Sequence, residues 1–167
     1  YADIPTRTAA DFIESTQGAW IQAQLAASGN RWKIVVFHNP SYSSSTKGGL
    51  APCMRQDWKG MGSDLVLYGH AHFYERLWVD TGGGYIPHIQ AGISGLSPQS
   101  NTGSSISQSV VRINSTTQLA LDPSYPFYGS YNNGGYNILT VEYGKLEWSA
   151  HGIKDAATDV ADIDTWT

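Results

Sequence analysis

The spacing of apolar residues changes character along the chain, and each change predicts an element. Between residues 16 and 28, Trp20, Ile21 and Leu25 recur at helical spacing. Ser15 or Thr16 stands as the N-cap and Gly29-Asn30 as the stop, which predicts a helix. Lys33-Ile34-Val35-Val36-Phe37 is then a continuous β-branched and aromatic run, the pattern of a strand covered on both faces. Leu50, Met54, Trp58 and Met61 fall on one helical stripe closed by Gly62, predicting a second helix over 49–61. Asp64-Leu65-Val66-Leu67-Tyr68 is a second buried strand. Strand, crossover helix and strand form a βαβ unit, whose two strands run parallel.

Beyond residue 80 the pattern shortens. Residues 85–90 read as a strand leading into the small-residue stretch Ala91-Gly92-Ile93-Ser94-Gly95, and 97–107 as an exposed loop. Val110–Ile113 and the stretch around Leu119–Leu121 are weaker strands. Asn132-Asn133-Gly134-Gly135 marks a turn. After it, Tyr136–Tyr143 and Lys145–Ala150 predict a hairpin about Gly144, with Leu139, Val141 and Tyr143 on one face and Leu146 and Trp148 alternating on the return strand. The tail, with Asp155, Asp159, Asp162 and Asp164, reads as a solvated acidic end, because it lacks the spacing of a calcium loop. The expected organisation is one domain portion over 1–167, with a βαβ part at 15–80 and a β-rich part at 81–167.

Composition narrows the function. At 167 residues and 41% hydrophobic, the chain is long and apolar enough to bury a core. Charged residues are only 14%, the net charge is −4, and no basic stripe exists, so the chain is not expected to bind a nucleic-acid backbone. No apolar run reaches the roughly 18 residues of a membrane span. A single cysteine, Cys53, excludes an internal disulfide framework and a thiolate metal cluster. The chain opens at Tyr1 without a signal-like stretch, as expected of a processed product or a piece of something longer. A surface of Ser, Thr, Gly, Asn and Tyr, with a glycosylation sequon at Asn114-Ser115-Thr116, points to an extracellular, secreted or periplasmic setting.

The chemistry is expected where the two buried strands end. The first runs into Phe37-His38-Asn39-Pro40 and the second into Gly69-His70-Ala71-His72. Parallel strands bring their carboxyl ends to one edge of a sheet, where α/β folds place ligands. Three of the five histidines thus meet at one rim. In extended backbone residues i and i+2 face the same way, so His70 and His72 are expected to share a pocket. Gly69 leaves room for close approach to the main chain. Taken singly, each histidine reads as a loop or core group. Their joint placement predicts a metal site with His38, His70 and His72 as ligands, imidazole being the commonest protein metal ligand. His88, inside a strand, and His151, near the end of the hairpin, read as structural.

These residues also carry a resemblance. Val35-Val36-Phe37-His38 with Asn39-Pro40-Ser41-Tyr42-Ser43-Ser44, and Gly69-His70-Ala71-His72-Phe73-Tyr74-Glu75-Arg76, resemble the V-x-x-H and G-H-x-H-x-Y-E-R blocks of calcineurin-like metallophosphoesterases in their purple-acid-phosphatase-like form. Trp20–Leu25 before Trp32–Val35 is similar to the helix that precedes the first block, and Ala91–Gly95 to the family's small-residue turn. The likeness is strong over 15–95 and loose elsewhere. It implies an α/β fold, an α+β sandwich of two β-sheets flanked by helices. It also implies two divalent or trivalent metal ions (of the Fe, Zn or Mn type) and hydrolysis of a phosphate-ester substrate. By the same resemblance His38 and His70 bind one ion and His72 the other. Glu75 and Arg76 stand just outside the ligands, Arg76 being equally a plain ion-pair partner of an acid.

The departures bear on function. The family's acidic ligand blocks, D-x-H or D-x-G, G-D-x-x-[DY] and G-N-H-[DE], do not occur in this sequence. Asp64 precedes its strand and Asp57 falls within the expected helix, so neither replaces the bridging aspartate. Three imidazoles bring no anion to offset the repulsion between two close cations. Where relatives carry further histidines, this chain has Asn39 and Thr46-Lys47-Gly48-Gly49, and Asn39 and Lys47 remain as phosphate contacts. The expected identity is the carboxyl-terminal half of a metallophosphoesterase domain, inactive alone and completed by an amino-terminal half from the same gene product or a nicked partner chain. The alternative is a non-catalytic structural or assembly module with a degenerate form of this fold. A third reading is glycan binding through exposed aromatic residues near Ser/Gly loops.

Overall fold

A computed structural model describes residues 8–43, 50–72, 74–92, 135–153 and 160–166. The expected loop at 97–107, the weak strands at 110–121, the Asn132–Gly134 turn residues, Asp155 and Asp159 lie outside them. The described residues form a mixed α/β structure of two sheets and two helices. Helix α1 (Ala9–Ile13) starts in a capping box: Asp11 donates its amide to Thr8 Oγ1, and Thr8 its amide to Asp11 Oδ2. Helix α2 (Thr16–Ala27) starts at Ser15, whose Oγ accepts from the Gly18 amide at 3.1 Å. No described helix is long and apolar enough to cross a membrane.

The larger sheet contains β1 (Ile34–Phe37), β2 (Leu65–Tyr68), β3 (Tyr74–Asp80) and β4 (Tyr85–Ala91), in the order β1-β2-β4-β3. β1 and β2 are parallel as expected, with Ile34 beside Leu65 and Phe37 beside Tyr68, and β4 continues the parallel arrangement. β3 runs antiparallel to β4 at the far edge. The smaller sheet, in the order β5-β6-β7, holds β5 (Gly135–Glu142), β6 (Lys145–Ile153) and β7 (Val160–Trp166). β5 and β6 form the expected hairpin, whose two-residue turn at Tyr143-Gly144 uses the positive φ of Gly144 (76°).

Period-two alternation sorts the side chains into two cores. Leu65 and Ile89 face the smaller sheet and pack with Leu146, Trp148 and Ala150, while Leu67 and Ile34 flank them. Val35, Val66, Tyr68 and Ile86 face the other way, onto Leu25 of α2 and the fully buried Trp58. A helical layer, the four-stranded sheet and the three-stranded sheet therefore stack in that order.

Three expectations change. The 49–61 segment is not a helix but a single 3-10 turn at Pro52–Met54 followed by turns. Side chains take the carbonyls that a helix would use. Gln56 Nε2 donates to Cys53 O at 2.7 Å and Trp58 Nε1 to Met54 O at 3.0 Å. Asp57 Oδ1 accepts from the amides of Gly60 and Gly83 and so ties the segment to the β3–β4 turn. β1 is an edge strand among the described residues and not covered on both faces: Val36 is 70% exposed. Finally, the acidic tail pairs as a strand, with Ala150 beside Asp164 and a register shift at Ala150/His151.

Candidate functional site

β1 and β2 stop side by side, and the Gly69 amide donates to the His38 carbonyl at 3.0 Å, extending the ladder by one bond past the strands. His38 and His70 therefore leave the sheet at the same rim. His70 Nδ1 lies 3.4 Å from His38 Nε2, and the rings stand edge to face with centroids 5.3 Å apart. Two nitrogens each about 2.0–2.1 Å from a tetrahedral ion lie about 3.3–3.4 Å apart, so the spacing suits two ligands of one cation as well as the ring-to-ring hydrogen bond that the pair makes when one nitrogen carries the proton. His38 is exposed and His70 partly so, leaving the rim open to an incoming ion.

The backbone that presents His70 is strained. Its φ is +70°, the only positive φ among the described non-glycine residues. It sits at the centre of a tight turn closed by the Ala71 amide on the Gly69 carbonyl at 2.9 Å. Gln90, on β4 and fully buried, holds that turn from behind: its Nε2 donates to the carbonyls of both Gly69 and Ala71, the latter at 2.8 Å. Both partners are acceptors, which fixes the orientation of the amide. Gly92 admits the arrangement, since a Cβ there would collide with the Ala71 carbonyl.

This turn corrects one expectation. Residues 69–72 are not extended, so His70 and His72 do not share a face by strand alternation. The structure brings His38 and His70 together, and among the described residues no three His, Cys, Asp or Glu side chains form a group able to hold a metal. His72, partly buried beside the fully buried Ala71, makes no third member with the pair.

The other named residues distribute around the rim. Asn39 follows His38 and is half-buried. Glu75 is buried on β3, opposite Gln90, and Arg76 is half-buried opposite Ile89. Asp64 lies at the opposite end of β2, where its Oδ2 accepts from the Lys33 amide at 2.9 Å. Asp57 belongs to the β3–β4 turn. Lys47 and Asn114 lie outside the described residues.

Beneath the rim is a polar layer that sequence patterning did not isolate. His88 is buried between Tyr42 and Tyr68, edge-on to both, and Tyr68 Oη donates to the Tyr42 carbonyl at 2.8 Å. Burial lowers the His88 pKa to about 3, so the ring is neutral, and its Nδ1 has no hydrogen-bond partner among the described residues. Burial first, then Glu75 and Tyr42, push the Tyr68 hydroxyl well above its ordinary range. The signal was present as polar residues at alternate positions of β4, His88 and Gln90, inside an otherwise apolar strand. His151 stacks on Tyr136 and contacts Ser149 Oγ at 3.0 Å, well away from the rim in sequence and sheet.

No family model matches the chain, and no curated protein matches it.

Proposed function

We propose that this chain supplies the histidine side of a two-metal phosphoesterase site, with acidic ligands contributed by a segment outside these 167 residues. The observation that supports it is the His38–His70 pair, set at the separation of two ligands on one ion by a strained turn. Strain of this kind costs on the order of 1–3 kcal/mol and persists where surrounding contacts hold it, commonly at functional sites. The G-H-x-H-x-Y-E-R resemblance adds the reaction class.

In this reading His38 and His70 hold one ion and His72 the other, while Glu75 and Arg76 stand behind them. Asn39 and Lys47 contact the phosphate of a monoester or diester. Two bound cations supply charge neutralisation of the ester and a water acidified enough to attack it. The chain's own contribution is orientation: Gln90 fixes the turn that aims His70, and the rim stays open to an anionic substrate. The sequon at Asn114 fits a secreted or periplasmic glycoprotein.

Cobalt(II) titration of the chain, followed by its visible absorption, tests this. One ion bound through imidazole, with no p-nitrophenyl phosphate hydrolysis, is expected. His38→Ala and His70→Ala should each abolish the cobalt signal. A protein that joins this chain to the proposed acidic segment should carry two metals and turn over. Full turnover with two metals by the 167-residue chain alone would refute the shared site, and a joined protein without metal would leave the non-catalytic module as the better reading.

A further inference from the structure

The opposite end of the same strands carries a groove that the phosphoesterase reading does not use. Lys33 and Asp64 stand at the amino ends of β1 and β2. At about 3.3 Å per residue, Lys33 is roughly 16 Å along the chain from His38. Here the 29–33 turn meets the β5–β6 hairpin tip around a shallow groove of about 1020 Å³ that is widely open to solvent.

Its aromatic residues are held ready. Trp32 Nε1 donates to the Glu142 carbonyl at 2.8 Å, locking the indole to the hairpin while 38% of the residue stays exposed. Tyr143, first residue of the hairpin turn, also lines the groove and is entirely exposed. Neither ring belongs to the buried apolar clusters among the described residues. The polar lining is balanced: Arg31 and Lys33 against Asp64 and Glu142. Arg31 Nε is anchored on the Ser28 carbonyl at 3.0 Å, which restrains its guanidinium.

Balanced charge argues against a polyanion or a polycation. An aromatic ring flanked by both donors and charged acceptors suits a neutral ligand with one flat apolar face and a rim of hydroxyls. A pyranose with equatorial hydroxyls has that form, since its axial C–H bonds make a flat apolar face while every hydroxyl points outward. We propose that this groove binds a neutral oligosaccharide, with Trp32 and Tyr143 as the stacking residues and Arg31, Asp64 and Glu142 as hydroxyl partners.

Cellotetraose, all of whose hydroxyls are equatorial within the chain, is the probe. Titration into the ¹⁵N-labelled chain should give saturable shifts confined to residues 29–33, 64 and 141–144. Tyr143→Ala should weaken binding roughly 3- to 10-fold, the scale of one aromatic contact. Trp32→Ala should abolish binding, and Trp32→Phe should restore part of it. Trp20→Ala, which removes an exposed aromatic of α2 outside the groove, should change nothing. Absence of saturable shifts would overturn the proposal. So would shifts that survive in Trp32→Ala with its fold intact, or tighter binding of tripolyphosphate than of the sugar. The readout is independent of metal and of hydrolysis.

Discussion

The two faces of the four-stranded sheet are built on opposite principles. The face toward β5–β7 is mainly apolar, with Leu65, Ile89, Leu146, Trp148 and Ala150 buried together and the indole N–H of Trp148 as a buried polar atom among them. The other face is apolar only toward its amino-terminal end, against α2 and Trp58. Toward the rim it gives way to Tyr42, Tyr68, Glu75, His88 and Gln90. Some of these polar groups are incompletely paired: His88 Nδ1 and Gln90 Oε1 have no hydrogen-bond partner among the described residues. An orphaned buried polar atom costs about 1–3 kcal/mol, and others lie in the smaller sheet at Asn137 Oδ1 and Trp148 Nε1. What distinguishes the rim is that Gln90 stands directly behind the strained His70 turn, with Glu75 opposite it and His88 two residues along β4. The apolar face makes the fold, and the polar face aims a side chain.

Acid is the most severe test of this contrast. His88 is held neutral in the fold with its pKa lowered to about 3, whereas in the unfolded chain it takes up a proton near 6.5. The unfolded state therefore binds more protons between those values. The neutral ring's contribution is fully present above pH 6.5 and is lost as pH falls toward 3, by on the order of 5 kcal/mol at most. Urea denaturation across pH 3–7 should show stability rising with pH in that window, and His88→Phe should flatten the slope by close to one proton. An unchanged slope in the variant would remove His88 from the account.

On the apolar face, Leu65→Ala removes a fully buried side chain between both sheets and should cost about 2–5 kcal/mol. Its loss should appear as a lower denaturation midpoint. Any cobalt bound at His38 and His70 should keep its affinity under conditions where the variant remains folded. A specific loss of cobalt affinity would show that the faces are coupled.

Gln90→Leu sharpens the contrast from the other side. It keeps the volume but withdraws the donor shared by the Gly69 and Ala71 carbonyls. The expected stability loss is only about 1–3 kcal/mol. The expected loss in cobalt affinity is about 10- to 100-fold, the usual effect of removing a group that orients a ligand. A structural role alone would move the first quantity and leave the second.

How much of this could be read from the sequence follows the same division. The parallel pair β1–β2, β4 and the β5–β6 hairpin were legible because unbroken β-branched runs and clean alternation have few other solutions. β3 was not, although it alternates throughout. Its buried set begins with Glu75 before Leu77 and Val79, while Trp78 lies on the opposite side. A charged residue in the buried set and a large, half-buried aromatic on the opposite face disguise the period. The 49–61 stripe misled for the converse reason: its spacing is helical, but Gln56, Asp57 and Trp58 satisfy the backbone through their side chains. Convergence of His38 and His70 followed from topology. The left-handed turn at His70 did not, because it depends on Gln90, twenty residues away.

The smallest expected effect on stability falls on the groove at the amino end of the sheet. Tyr143 is wholly exposed, and Tyr143→Ala should change stability by no more than about 0.5 kcal/mol, the range of ordinary surface substitutions. Trp32 differs, because its indole N–H ties the 29–33 turn to the hairpin tip. Trp32→Phe should cost about 0.5–1.5 kcal/mol, the net value of one hydrogen bond, and should speed amide exchange around Glu142 and Tyr143. The pair thus separates two roles that share one groove. A Tyr143→Ala protein that is as stable as the parent yet binds cellotetraose more weakly assigns the tyrosine to recognition. If Tyr143→Ala instead lowers stability as far as Trp32→Phe, the ring is part of the fold and not a recognition residue.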